Sequence, residues 1–465
     1  MNFNHCFSYL ASGMPENIER LRYNGNFDEA VLQIDRMLSQ NPDFSMKNSL
    51  IAHREMLLRL PAQYPFSYCE AMRIIREHIP DFTDDEFALY ESDRKIGWIF
   101  INGEKRYFSR FFNTLCKTDP SFAARAGVTL PGVESATPES QANSVLNESM
   151  HLMKKNGQVS HRITVHAELV PQESLFDGRM HKVKAYLPVP ALCEGQSDIK
   201  ILSLFPKSGV ISSETGPQRT ICWEETVDNC HDYSVEYSYV STSVYRDVES
   251  FNCPSTEQPG FDTEEIYPHV VFTPYIRALA AALTEDCHGP LEKARAFYDF
   301  ITLNMSYTFM PDYFVLENIA ENGARNRVGD CGVFALLFLT LCRASGIPAQ
   351  WESGLAAEPD FVGGHDWIRF YVAPYGWLYA DPSYGIAAKR VNNEERRRFY
   401  FGNRDAFRLV ANTAFQADFE NPMDGFRIDP YDNQLGELEF DGRGLQGFEL
   451  TRRKAIIGFE KYIEL

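Results

Sequence analysis

One segment limits what this chain can become more than any other. Gly329-Asp330-Cys331-Gly332-Val333-Phe334-Ala335 runs on through Leu336-Leu337-Phe338-Leu339-Thr340-Leu341-Cys342 to Arg343-Ala344-Ser345-Gly346-Ile347-Pro348. The run is apolar around nearly its whole circumference, and such a helix belongs at the centre of a core rather than on a surface. Asp330 is a good N-cap residue, which places Cys331 in the first turn, and Gly346 with Pro348 supplies the stop. A thiol in that turn sits at the positive end of the helix dipole beside free backbone N–H groups. Both favour the thiolate, the nucleophilic form.

A thiol nucleophile needs a base, and the base needs something to hold it. Downstream stand Gly364-His365-Asp366-Trp367-Ile368-Arg369-Phe370-Tyr371-Val372, a turn at 373–376, and then Trp377-Leu378-Tyr379-Ala380-Asp381-Pro382. This composition predicts a β-hairpin, and one centred on Ala373 brings His365 and Asp381 opposite each other to within a residue or two. A carboxylate opposite a histidine fixes its tautomer and supports the imidazolium. Cys331 is thus the expected nucleophile, His365 the base and Asp381 the orienting acid. The Cys331 N–H is the expected oxyanion donor, with Tyr307, Tyr313, Asn318 and Asn322 as candidates for a second. Trp367, Trp377 and Tyr307 are candidates for the substrate-pocket wall, packing within the hairpin being the competing role of the two tryptophans. Asp330 and Asp366 are expected to be a cap and part of a solvated turn, not catalytic groups.

Four motifs carry a family resemblance. Gly-x-Cys-x-Val-Phe-Ala around Cys331, Arg-Ala-x-Gly-Ile-Pro-Ala at 343–349, His-x-Trp at 365–367 and Gly-Trp-x-x-x-Asp-Pro at 376–382 resemble the core of the transglutaminase-like superfamily, in its order of Cys, His and Asp. The resemblance covers about 270–385 and implies a papain-like α+β core, in which the cysteine helix packs on an antiparallel sheet bearing the histidine and the aspartate. It implies a cysteine protease, an amidase or an acyltransferase working through a thioester without a cofactor, on a protein, peptide or amide substrate. Animal transglutaminases usually have Gln before the nucleophile and Trp after it, where this chain has Asp330 and Gly332. That departure leaves the triad intact but speaks against glutamine cross-linking; many bacterial-type members look like hydrolases, and with no calcium-site signal hydrolysis is the expected outcome. A non-catalytic protein-binding scaffold on the same fold is the alternative.

At 465 residues the chain is too long for one core and calls for about three domains. Residues 1–130 predict a helical accessory domain, shown best at 24–41, where Ala30, Val31, Ile34, Met37 and Leu38 recur at helical spacing before Pro42. Residues 131–160 read as a linker or wrapping segment rich in Pro, Gly, Ser and Asn. Residues 161–250 alternate with period two, Ile163, Val165, Ala167 and Leu169 on one side, and predict an antiparallel β-sandwich. The catalytic core is expected at 262–400, with 401–465 extending it, giving an α+β multidomain protein.

Composition removes other functions. A net charge of -19 argues against nucleic acid and against an anionic membrane surface as partners. No stretch reaches the ~18–20 apolar residues of a membrane helix. The N-terminal residues lack a basic segment followed by an apolar run, so the ten thinly spread cysteines are expected in a reduced, cytoplasmic setting. Cys222, Cys230, His231 and Cys253 match no zinc spacing, and no metal site is expected. The acidic residues Asp429, Asp432, Glu437, Glu439 and Asp441 do not fit a calcium loop and read as a solvated segment. Arg396, Arg397 and Arg398 follow Glu394 and Glu395 too closely to imply nucleic acid.

Overall fold

The computed structural model describes residues 3–251 and 257–461, so Cys253 lies outside the described residues. Its hub is the helix Cys331–Ala344, in which every residue from Gly332 to Arg343 is buried. Around it pack the helices Pro274–Leu283, Pro290–Asn304, Ile319–Asn326 and Pro382–Arg390, and one face of a five-stranded antiparallel sheet. The sheet runs Phe401–Gly402, Gly376–Ala380, Phe361–Val372, Ala349–Glu358, Arg408–Asn412. Strand alternation divides the central strand: Ile368, Phe370 and Val372 join the hub core, and the intervening residues turn to the opposite face. The expected hairpin is present, with Ile368 opposite Ala380. Asp381, one step beyond, therefore stands diagonally across from His365, within reach of a side-chain contact.

The sandwich has two antiparallel sheets, one of four strands and one of five. Ile163, Val165, Ala167 and Leu169 are buried between them, as their period predicts. The C-terminal residues correct the expected organisation. Glu437–Phe440 pairs with His181–Pro188, and Leu450–Glu460 pairs with Gln158–Pro171, so these strands complete the sandwich instead of extending the core. Of the expected extension, Phe401–Gly402 and Arg408–Asn412 pair in the core sheet. The sandwich needs the late strands because its first strand would otherwise be an exposed edge.

The acidic run is likewise not a solvated segment: Asp432, Glu437 and Glu439 are buried, and Glu437 is ion-paired to buried Arg427 at 2.8 Å. Arg396 and Arg397 are also buried, each on carboxylate partners.

The N-terminal residues are helical, interrupted by the hairpin of Trp98–Ile101 and Glu104–Tyr107. They lie against the core: Arg59 stacks over the Phe314 ring at 3.9 Å and donates to the Arg427 carbonyl at 2.9 Å. Residues 131–160 are no loose linker. They contain the helices Pro138–Ala142 and Val145–Asn156, and Arg396 grips Glu134 with both terminal nitrogens of its guanidinium. Among the described residues, no helix is long and apolar enough to cross a membrane.

Candidate active site

Asp330 caps the hub helix, its Oδ1 accepting from the Val333 N–H at 3.3 Å and from the Tyr313 hydroxyl. This puts Cys331 in the first turn, as expected. Tyr313 also explains the unusual residue after the cysteine. A Cβ on Gly332 would stand 2.2 Å from the Tyr313 hydroxyl oxygen, so nothing larger than glycine fits while Tyr313 holds Asp330. Tyr313 is therefore a support of the helix cap.

His365 is 4% exposed, and its Nε2 lies 2.8 Å from Asp381 Oδ2. Asp381 caps the next helix through Oδ1, which accepts from the Tyr384 N–H at 2.9 Å. A residue that no motif announced completes this arrangement. Arg408, fully buried, donates to Asp381 Oδ2 at 3.0 Å and pairs with Asp405 at 2.9 Å. Burial alone would raise the Asp381 carboxyl, but His365, Arg408 and the Tyr384 N–H together hold it below its ordinary value. Asp381 is thus an anion in the interior. Burial lowers the His365 imidazole, against the pull of Asp381, so the ring is neutral at neutral pH and can accept a proton.

The thiol is in a different state from the one the helix end suggests. Burial, then the carboxyls of Asp366 and Asp330, hold the Cys331 thiol well above its ordinary value, with Lys117 opposing. Asp366 is not in a solvated turn; it is 3% exposed, and its carboxyl lies near enough to the Cys331 thiol to oppose the thiol's ionisation. Strand alternation is the reason, because Asp366 stands in register with Ile368, Phe370 and Val372, which face the helix. Burial, then Asp432, raises the Asp366 carboxyl in turn. The resting cysteine is therefore a thiol, and any attack by its sulfur would require that proton to leave.

Cys331 and His365 both open onto a cavity of about 460 Å³, which Tyr307, Lys117 and Glu358 also line. Residues Gly132, Glu134, Ser144 and Leu146 of the wrapping segment form part of its wall. Of the three wall candidates, Tyr307 is in this cavity. Trp367 is fully buried with its Nε1 donating to Glu352 Oε2 at 2.8 Å, and Trp377 lines a separate 300 Å³ cavity. The other candidate oxyanion donors are committed elsewhere: Tyr313 donates to Asp330, Asn318 to the Glu321 carboxylate, and Asn322 to the Glu317 carbonyl. Among the described residues, no group of His, Cys, Asp or Glu could hold a metal ion.

Glu358 is a second residue that sequence patterns did not mark. It is 8% exposed in the cavity wall, and the Tyr384 hydroxyl, itself on the helix after Asp381, donates to it. Burial pushes its carboxyl from 4.5 up to about 7. The folded protein therefore holds a proton that the unfolded chain releases between those values. The contribution of Glu358 to stability is greatest below pH 4.5 and falls as pH rises through about 7. Comparing denaturant unfolding of the wild type with Glu358→Gln across that window should show the wild type losing about 1–3 kcal/mol relative to the variant. A flat difference would mean Glu358 is ionised throughout.

Residues 277–382 match the transglutaminase-like superfamily. Among solved structures, a candidate cysteine protease from Cytophaga hutchinsonii is 14% identical, with a TM-score of 0.44, over 66% of this chain and 94% of its own. The periplasmic domain of TgpA from Pseudomonas aeruginosa is 15% identical, with a TM-score of 0.26, over 53% of this chain and 94% of its own. No curated protein matches the chain. The Cys331 helix, the sheet packed against it and the matched residues lead to one assignment: over 277–382 this chain is a transglutaminase-like domain.

Proposed function

We propose that the protein is a thiol-dependent acyl-transfer enzyme that hydrolyses a carboxamide or peptide bond, with Cys331 as nucleophile, His365 as base and Asp381 as its orienting acid. The observation that carries this reading is that Cys331, at a helix start, and His365, held by Asp381 at 2.8 Å, open onto one cavity. His365 takes the thiol proton as the sulfur adds to the carbonyl carbon. The oxygen that becomes negative accepts from the Cys331 N–H. Collapse expels the amine, which leaves with the proton from His365, and the acyl group stays on sulfur. Water then gives a proton to His365 and attacks the thioester; the acid departs and the thiol recovers its proton. Asp381, held ionised by Arg408, supports the imidazolium in both halves of the cycle.

Iodoacetamide labelling at pH 7, followed by peptide mass spectrometry, tests this. Base assistance should make Cys331 react faster than exposed Cys69, and His365→Ala should slow Cys331 at least tenfold while leaving Cys69 unchanged. The buried thiol beside the carboxyls of Asp366 and Asp330, which hold it above its ordinary value, is the observation that favours the competing reading, an inert scaffold. Labelling of Cys331 no faster than Cys69, and indifferent to His365, would establish that reading instead.

A further inference from the structure

We propose that the cavity selects substrates carrying a carboxylate beside the scissile amide, bound by Lys117 and Arg390; this builds on Cys331 being the nucleophile. Lys117 comes from the helical N-terminal region, on the helix Phe111–Thr118, and Arg390 ends the helix Pro382–Arg390 that follows Asp381. The two are joined, the Arg390 guanidinium donating to the Lys117 carbonyl at 2.9 Å, and both line the cavity that holds Cys331. The Lys117 ammonium sits 3.8 Å from the centre of the Tyr307 ring. Neither cation is ion-paired with a carboxylate of the described residues.

Two partly buried cations without a counter-ion are costly, and in a protein of net charge -19 they are also unexpected. A substrate anion would supply the missing partner. The acidic groups nearby do not cancel them. Glu134 is engaged by Arg396, Asp360 is at the exposed rim, and burial keeps Glu358, Asp366 and Asp330 from ionising at their ordinary values. Lys117 is close enough to Cys331 that each affects the other's proton, so a carboxylate on it lies next to the reacting carbonyl. The cationic wall also continues. A second cavity of about 380 Å³ shares Tyr307, Ile386 and Arg390 with the first and adds Arg94, Lys95 and Lys389 against the single carboxylate of Asp93. This assigns the N-terminal region a part in choosing the substrate.

The test compares two alkylating reagents of nearly equal size, iodoacetate and iodoacetamide, on the full chain. The ratio of their rates at Cys331 should exceed the ratio at Cys69 of the same molecule. It should fall by about fivefold or more in Lys117→Gln and Arg390→Gln and be kept in Lys117→Arg. Using a ratio removes any general change in thiol reactivity that the variants cause. A ratio unchanged by both glutamine variants, or lost equally in Lys117→Arg, overturns the proposal. Slow labelling by both reagents with the ratio still dependent on Lys117 would instead count against the enzyme reading alone. Protection of Cys331 by three peptides identifies the source of the carboxylate. Acetyl-Ala-Glu-Ala-amide protects if a side chain is bound, and acetyl-Ala-Ala with a free C-terminus protects if a chain end is bound. Equal protection by acetyl-Ala-Gln-Ala-amide overturns the selection of an anion.

Discussion

Exchanging Arg408 for methionine is expected to destabilise the protein by about 3–5 kcal/mol, the range for breaking a buried ion pair from one side. The guanidinium has no exposure, and its partners Asp381 and Asp405 are 1% exposed, at 3.0 and 2.9 Å. Methionine fills much of the volume but neutralises neither carboxylate. Asp405 keeps the Tyr400 hydroxyl and the Phe407 N–H, each at 2.9 Å, whereas Asp381 keeps the Tyr384 N–H and His365. Two buried anions then repel each other without the cation between them, which drives Asp381 toward protonation. The penalty should therefore shrink as pH falls and Asp381 takes up a proton. Denaturant unfolding at pH 7 and pH 5 measures this, and adding Asp405→Asn should recover part of the loss. A cost below about 1 kcal/mol at pH 7 would show that Arg408 only fills space.

The second large effect is catalytic. Asp381→Ala removes the acceptor from His365 Nε2, so the ring is free to change tautomer and its cation loses support. Cys331 acylation should fall by about 10²–10⁴, the usual worth of general-base assistance. Asp381→Asn is the informative comparison. In Asp381 one oxygen accepts from both His365 and Arg408, and the other accepts only from the Tyr384 N–H. An asparagine can place its oxygen at the first position and lose only the Tyr384 contact, which preserves the histidine orientation but not the negative charge. Its rate should lie between wild type and alanine. Rates of covalent Cys331 labelling by an activated acyl reagent, measured on variants checked for native circular dichroism, read both. An alanine variant as fast as wild type would remove Asp381 from the mechanism.

Glu358 and the cation pair show where functional information is missing from local patterns. Glu358 ends a strand whose neighbours are Ala356 and Ala357, and Lys117 lies in a short helix over two hundred residues before the cysteine. Nothing in the spacing of either marks a cavity wall. By contrast, Asp330, Cys331 and the apolar run behind them are read correctly because a cap and a helix are made from consecutive residues. The hairpin placing Asp381 near His365 is also local, since turn composition and strand alternation set its register.

The boundary between the two kinds of knowledge is clearest at the cysteine. By itself, the sequence determined that Cys331 begins a buried helix, that His365 and Asp381 share a hairpin, and that the strands of 161–250 form a sandwich. These depend on periodicity, capping and turns, which act over a few residues. Only the tertiary structure decided that Arg408 holds Asp381, that strands from 437–460 close the sandwich, and that the segment around Glu134 walls the cavity. It also decided the protonation of Cys331. Alternation along one strand delivers Asp366 to the thiol, and burial there outweighs the helix end, because desolvation and nearby charge are set by what packs in space, not by what is adjacent in the chain.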